Sequence, residues 1–576
     1  MPDHVDAATP PEEAADNIVS LPTDNPFSAM EKSLGAQGGR DVEDRRARRL
    51  SVTVLWTMAV VIVVVDQLSK QWALFALSDG QHTALLGRAL GLVLVRNPGA
   101  AFSFATGQTW IFALIASLVV VIIVRVSRNL ASRSWAVALG LVLGGAVGNL
   151  IDRLLREPGF LRGHVIDFID YGGLFVGNVA DIAIVGAAVA IVGLAGRYPG
   201  ARTPDELWDV LSSGSTQVRE IPAARQTRAF RDVLPEAEGS GPWRGCFLDD
   251  VMAFDSLYFK ISPLEAAAMD PQQRLFLLTA TEALQDAGHT SASLGRRVGV
   301  YVGAMACDYA VASAQAAVEG ISALPNSALY QIANRVSYVH DFHGPSITVD
   351  TACSSSGVAL HLACQDLRSG RTDAAVAGGV NLILHPARFI QYSHMGMLSP
   401  SGACRPFGAR ADGMVMGEGV GAVLLKPLEA AERDGDHIYA VLRGTAVNTA
   451  GHTQGFTVPS PSRQAELVRD ALEDAGLPAE RVSMVEAHGT GTPLGDPIEI
   501  RGLGETLAPR GAVGKTCFVS SVKSVIGHLE PAAGIAGLTR VLLQLKHQTV
   551  LPSPGAEETN PKIDFAWNSR VVGLGG

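Results

Sequence analysis

Four apolar runs, at about 52–76, 110–126, 134–151 and 178–196, occupy the first third of this chain and restrict what it can fold into. Each approaches the roughly 17 to 25 helical residues that cover a bilayer core, so four membrane spans are expected. An even number of crossings leaves both termini on one side. Arg45, Arg46, Arg48 and Arg49 precede the first run, Arg125, Arg128 and Arg133 separate the second from the third, and Arg197 and Arg202 follow the fourth. Basic residues collect on the cytoplasmic face, which puts both termini inside and the loops 77–109 and 152–177 outside. Residues 1–50, rich in Ala, Pro, Asp and Glu without apolar periodicity, are expected to form a disordered cytoplasmic tail. The first run lacks a small-residue cleavage site and should be retained as a span.

At 576 residues the chain exceeds what one hydrophobic core usually serves, and its composition changes near residue 200. Beyond that point short apolar strands, glycine turns and amphipathic helices alternate, as at 462–475, where Leu467, Val468 and Leu472 share a helical face. The expected organisation is a tail at 1–50, a membrane domain at 51–198 and a soluble α/β domain at 199–576. A net charge of −10 without any Lys/Arg stripe argues against a nucleic-acid partner. All six cysteines lie in the soluble half without a C-x-x-C pair, which disfavours a zinc site or a disulfide framework and suits a reducing cytosol.

Ionisable groups in hydrocarbon are costly, so those within the spans are functional candidates. Asp66 falls about 21 Å along the first span, with Lys70 one turn later, and Asp152 falls about 27 Å along the third, at 1.5 Å per residue. Asp181 stands in the first outward turn of the fourth. Asp152 and Asp181 thus reach similar depth from different helices. They could be an anchor paired with Arg153 and a helix cap after Asn178. Alternatively they meet, and two carboxyls in a low-dielectric site share one proton, one acting as base toward water and the other as acid.

The strings D66-Q-x-x-K70, N97-P-G-A-A-F102, G144-G-A-V-G-N149-L-I-D152-R153, G163-H-V-I-D167-F168 and N178-V-A-D181 occur together over residues 52–196. In order and spacing they resemble lipoprotein signal peptidase, called signal peptidase II. That resemblance implies an all-α four-span aspartyl peptidase of the bacterial cytoplasmic membrane, with its site facing outward. Its substrates would be prolipoproteins cleaved just before a diacylglyceryl-modified cysteine, with no cofactor. It carries the catalytic roles onto Asp152 and Asp181, and supporting roles onto Asn97, Asn149, Arg153 and Asn178. Asp66 and Lys70 read as structural or supporting.

In the soluble half, V349-D-T-A-C353-S-S-S-G357 precedes an apolar helical stretch, which sets Cys353 near a helix N-terminus. There the dipole is expected to favour the thiolate, against the ordinary alternative of an inert core cysteine. Two further motifs, E486-A-H488-G-T-G-T-P-L-G-D496 and K523-S-V-I-G-H528, supply histidines that could otherwise be buried and hydrogen-bonded. With Cys353 they resemble the Cys-His-His constellation of β-ketoacyl synthases. The strings M269-D-P-Q-Q-R274 and G413-M-V-M-G-E-G-V420 match those of modular polyketide synthases. This second resemblance implies a thiolase-like α/β fold, usually dimeric. Cys353 would accept an acyl group from the phosphopantetheine thioester of an acyl carrier protein. His488 and His528 would assist malonyl decarboxylation and Lys523 would organise the site. A phosphate loop at 511–516 is rejected, because Pro509 replaces its first glycine.

Residues 188–198 are claimed twice, as the end of span four and as the opening strand A188-V-A-I-V-G-L-A-G-R197 of the ketosynthase. Hydrophobicity and basic flanks favour the span. The resemblance also expects further strands and an Asn-Ala-His string beyond V571-V-G-L-G-G576, which makes the ketosynthase incomplete and impaired. Three functions compete: a membrane peptidase carrying a ketosynthase remnant, a membrane-tethered ketosynthase, and a rearranged or misassembled fusion without a joint role.

Overall fold

The computed structural model describes residues 52–77, 83–86, 90–97, 117, 120, 124–125, 133–156, 164–170, 176–177, 188–226, 230–231, 243–318, 320, 327–455, 457–507 and 517–565. The chain divides into two compact units, 1–184 and 185–576. The expected tail, Asn178, Asp181 and the rejected phosphate loop at 511–516 lie outside the described residues.

In the first unit, helix α1 (Val52–Ala76) is the one helix among the described residues shown to be long and apolar enough to cross a membrane, with a mean hydropathy of 2.0. Its exposed face carries Val60, Val64, Leu68 and Phe75, and its buried stripe carries Leu55, Ala59, Asp66, Lys70 and Ala73. That spacing is the helical period. Helix α2 (Arg133–Leu155) covers the third expected span. It meets α1 through glycines four apart. A Cβ on Gly140 would lie 2.7 Å from the Leu55 carbonyl oxygen, and one on Gly144 2.8 Å from that of Ala59. Small residues of this kind let two helix backbones approach closely.

The unit is not all-α. Strands β1 (Thr83–Leu86), β2 (Leu90–Asn97), β3 (Val165–Asp170) and β4 (Val176–Gly177) form an antiparallel sheet in that order. β2 pairs with β3 from Asn97 opposite Val165 to Gly91 opposite Asp170. The two loops expected outside the membrane thus pair with each other. Of the second expected span, residues 117, 120, 124 and 125 are helical.

The fourth span is where expectation and structure part. Val189–Arg197 is an extended strand, β5, with every residue but the last buried. Residues 189–196 of the expected span thus form a strand, and 178–187 lie outside the described residues. β5 sits inside a six-stranded sheet with β6 (Val298–Gly303), β7 (Ser346–Val349), β8 (Ala374–Asn381), β9 (Gly419–Pro427) and β10 (Ala440–Leu442), in the order β10-β5-β9-β8-β6-β7. β5 is antiparallel to both neighbours, and β8, β6 and β7 run parallel. Such a central strand is covered on both faces and reads as one hydrophobic run, which is why a hydropathy criterion takes it for a span. Ala190, Val192 and Ala195 enter one core layer, and Val189, Ile191 and Leu194 the other.

Helix α3 (Pro271–Asp286) covers the first layer so closely that a Cβ on Gly193 would stand 2.2 Å from the Ala283 carbonyl oxygen. Helices α4 (Ser355–Arg368) and α7 (Ala533–Lys546) contribute Ala359, Ala363, Ile535 and Leu542 to the second. Helix α5 (Pro461–Ala475) forms where Leu467, Val468 and Leu472 were expected to share a face, capped by Ser460. It packs beside α6 (Gly495–Leu507). A parallel pair, β11 (Met484–Glu486) and β12 (Phe518–Ser520), lies between β10 and α7 in sequence.

Candidate active site

Cys353 stands two residues before α4, after a tight turn out of β7. Ala352 adopts φ 52, a left-handed conformation that costs a non-glycine residue roughly 1–2 kcal/mol. Hydrogen bonds hold the turn: Ser355 Oγ donates to the Ala352 carbonyl at 2.6 Å and accepts from Thr351 N–H at 2.9 Å. Gly303, at the end of β6, admits the start of α4, because a Cβ there would lie 2.4 Å from Ser356 N.

His488 follows β11. Its backbone N–H and that of Gly489 donate to the Glu499 carboxylate at 2.6 and 2.7 Å, and Lys523 Nζ donates to its carbonyl at 2.5 Å. His528 is held by the glycine-rich segment 413–420, its N–H donating to Val415 O at 2.7 Å and its carbonyl accepting from Gly417 N–H at 2.8 Å. The Cys353 sulfur and one nitrogen of each histidine all lie within 4.8 Å of one another. The two rings meet edge-on with centroids 5.2 Å apart. Cys353 and His488 line a cavity of about 540 Å³ that takes Val358, Leu467, Lys523 and Leu538 into its wall.

One hydrogen bond fixes the chemistry of His528. The Glu530 backbone N–H donates to Nδ1 at 2.9 Å, so Nδ1 carries no proton and Nε2 is the N–H donor of the neutral ring. The ring stays neutral because burial holds its pKa well below the usual value, helped by Lys523 and His488. Three donor atoms this close could grip a metal ion, but ligation through His528 Nε2 would send its proton to Nδ1, against the Glu530 N–H. His488 is also shifted down, by desolvation within the protein and by Lys523.

The thiolate expected at Cys353 does not prevail. Burial pushes the thiol up to about 11, the Glu530 carboxylate adds to the rise, and Lys523 opposes it. A helix terminus contributes about 0.3–1 kcal/mol, less than one tenfold step in acid dissociation. Cys353 is therefore a thiol at neutral pH and needs a base. All six cysteines are free. The M269-D-P-Q-Q-R274 motif is architectural: Asp270 caps α3 through Gln272 N–H at 2.9 Å, and Arg274 donates to the Met269 carbonyl at 2.7 Å.

In the first unit, the buried Lys70 ammonium lies 2.8 Å from Asp66 and 2.9 Å from Asp152. It also donates to Asn149 Oδ1 at 2.8 Å. Asp152 pairs with Arg156 at 2.6 Å and accepts from Gln67 at 3.3 Å and Ile166 N–H at 3.4 Å. Both of its oxygens are thus engaged, while Asp181, its expected partner, lies outside the described residues. Asn97 closes β2 opposite Val165. Arg153 is buried near the end of α2. The glycines 140, 144 and 148, four apart, were the overlooked sequence signal for the α1–α2 contact.

A cysteine on a strained turn at a helix start, two histidines and a lysine, carried on a mostly buried mixed sheet, define a thiolase-like fold. Family comparison agrees: residues 187–431 match the β-ketoacyl synthase N-terminal domain, 439–557 the β-ketoacyl synthase C-terminal domain and 58–195 signal peptidase (SPase) II. The chain belongs to the β-ketoacyl synthase family over its larger part and to the signal peptidase II family over the segment before it. Among solved structures, the oxazolomycin ketosynthase domain OzmH KS7 of Streptomyces albus is 47% identical with a TM-score of 0.64, over 66% of this chain and 68% of that one. The module 6 ketosynthase of the Bacillus subtilis bacillaene synthase is 40% identical with a TM-score of 0.61, over 67% and 66%. Polyketide synthase PksM of Bacillus subtilis is 49% identical over 67% of this chain. The chain spans only 9% of that relative's length.

Proposed function

We propose that the 185–576 unit performs decarboxylative Claisen condensation on acyl carrier thioesters, with Cys353 as nucleophile. The convergence of the Cys353 sulfur and both histidine nitrogens within 4.8 Å supports this most directly. In the first step the thiol proton passes to His488, because His528 Nε2 already bears one. The sulfur attacks the acyl thioester carbonyl, and the carrier thiol leaves with the proton from His488. In the second, a malonyl thioester loses carbon dioxide. The electron pair of the broken C–C bond becomes an enolate whose oxygen takes the His528 Nε2–H hydrogen bond. The enolate carbon then attacks the Cys353 thioester, forming the new C–C bond, breaking C–S and returning the sulfur to a thiol with a solvent proton. Carrier protein and a second copy of the chain are the partners this chemistry implies. Intact-protein mass spectrometry after incubation with an acyl carrier thioester is the test. A single acyl adduct that disappears in Cys353→Ala is expected, and an unlabelled folded protein removes the proposal.

A second activity is favoured by the signal peptidase II match and by the membrane-length α1. We read it as outward-facing cleavage of lipidated prolipoproteins, with Asp181 as one acid. We take Asp152 as the second acid, its carboxylate oriented by the Lys70 and Arg156 side chains. Globomycin-sensitive prolipoprotein cleavage by the full chain would support this activity. Its absence from a membrane preparation that holds the intact chain would remove it. With β5 inside the ketosynthase sheet, residues 189–197 serve that fold, so condensation is the better supported function.

A further inference from the structure

Resting on the condensation assigned above, we infer that Arg388 and Tyr392 are positioning residues that clamp Glu530 and thereby keep the His528 side chain in its Nε2–H form. Glu530 is a non-glycine residue at φ 47, a backbone conformation that persists only when its surroundings enforce it. Its N–H is the donor to His528 Nδ1, so the strained peptide and the tautomer are one feature.

Three hydrogen bonds fix the side chain beyond that peptide. Arg388 Nη1 lies 3.1 and 3.0 Å from the two Glu530 carboxylate oxygens, and the Tyr392 hydroxyl donates to one of them at 3.0 Å. Arg388 is held in turn by Asn381 Oδ1 at 2.9 Å, by Asp308 at 3.0 Å and by the Leu382 carbonyl. Arg388 and Glu530 are both buried. Charge-assisted hydrogen bonds of this kind are about twice as strong as neutral ones, enough to hold a strained peptide. Arg388 and Tyr392 come from a helix at Ala387–His394, remote in sequence from the K523-S-V-I-G-H528 motif. Once the clamp is released, Glu530 relaxes, its N–H leaves Nδ1, and that nitrogen becomes free to take a proton.

The test uses the full chain labelled with ¹⁵N-histidine, with His528→Gln assigning the signals. In the wild type His528 Nδ1 should resonate as an unprotonated nitrogen. In Arg388→Met it should shift toward the protonated position, and the acid limb of malonyl-thioester decarboxylation should move up by about one pH unit, tenfold in proton concentration. The decarboxylation rate at neutral pH should fall at least about tenfold, while Cys353 acylation reports that the variant is folded. Adding Glu530→Gly to Arg388→Met should restore the Nδ1 signal and most of the rate, since glycine adopts positive φ without enforcement and carries no carboxylate to leave unpaired. An unchanged Nδ1 signal in Arg388→Met, or a double variant no better than the single one, overturns the clamp. Failure of the wild type to acylate Cys353 would instead strike the condensation itself, and the nitrogen signal would still decide the clamp.

Discussion

Arg197 grips Glu282 with two hydrogen bonds, 2.6 and 2.7 Å long, at the end of strand β5. As a sequence position Arg197 looks like the cation that follows a membrane span. In the fold it ties the opening strand of the ketosynthase sheet to α3, and the two roles make opposite demands on the residues just before it.

Gly193→Val should destabilise the ketosynthase unit by about 1–3 kcal/mol, the usual cost of forcing side-chain atoms into a packed core. The collision with the Ala283 carbonyl leaves little room. A lower thermal midpoint and faster proteolysis within 185–576 would show it. A span at this position would tolerate valine, so an unaffected variant would return the segment to the membrane.

Alkylation of Cys353 by iodoacetamide should rise about tenfold per pH unit from pH 7 to 10, because a thiol raised to about 11 gains thiolate throughout that window. Lys523→Met removes the cation that lowers the thiol pKa and should slow the reaction at any fixed pH. A rate already level near neutral pH would show that the thiolate is preformed.

His528→Ala removes the fixed N–H donor to the enolate oxygen. Malonyl decarboxylation should drop about 10²–10³-fold, the loss typical of one oxyanion-type donor. Acylation of Cys353 should be affected far less, and comparing the two rates by mass spectrometry separates the steps.

Lys70→Met leaves Asp66 and Asp152 buried without their shared cation, and breaking such a pair costs about 3–5 kcal/mol. The yield of membrane-inserted chain should fall, and Asp66→Asn in the same chain should recover part of it. Full yield of Lys70→Met would show that the cluster is not an anchor.

Asp152→Asn and Asp181→Asn should both lose prolipoprotein cleavage. The first should also reduce the amount of folded protein, because four donors lose their charged acceptor. Quantifying cleavage per inserted chain separates the two effects, and normal cleavage by either variant would remove the dyad.

Much of the candidate site was legible in the sequence because its motifs are local. The turn at Cys353 depends on small residues beside it, and the backbone at His488 on glycines that follow it. The helices at 52–76 and 134–151 were legible for the same reason, since an amphipathic or apolar helix is written within its own residues. Less visible were contacts made at a distance. Lys70 and Gln67 on α1 are brought against Asp152 on α2, and the pairing of β2 with β3 joins segments almost seventy residues apart.

The sequence by itself determined that two bodies share this chain, which chemical groups each carries, and that Cys353, His488 and His528 belong together. Only the tertiary structure decided the fate of 189–197, because an unbroken apolar run satisfies a lipid environment and a strand buried on both faces equally well. What separates them is the partner, and Leu424, Ala440 and Ala283 lie far along the chain. It was likewise burial, a property of the whole fold, that raised the Cys353 thiol against the weaker pull of the adjacent helix start toward thiolate.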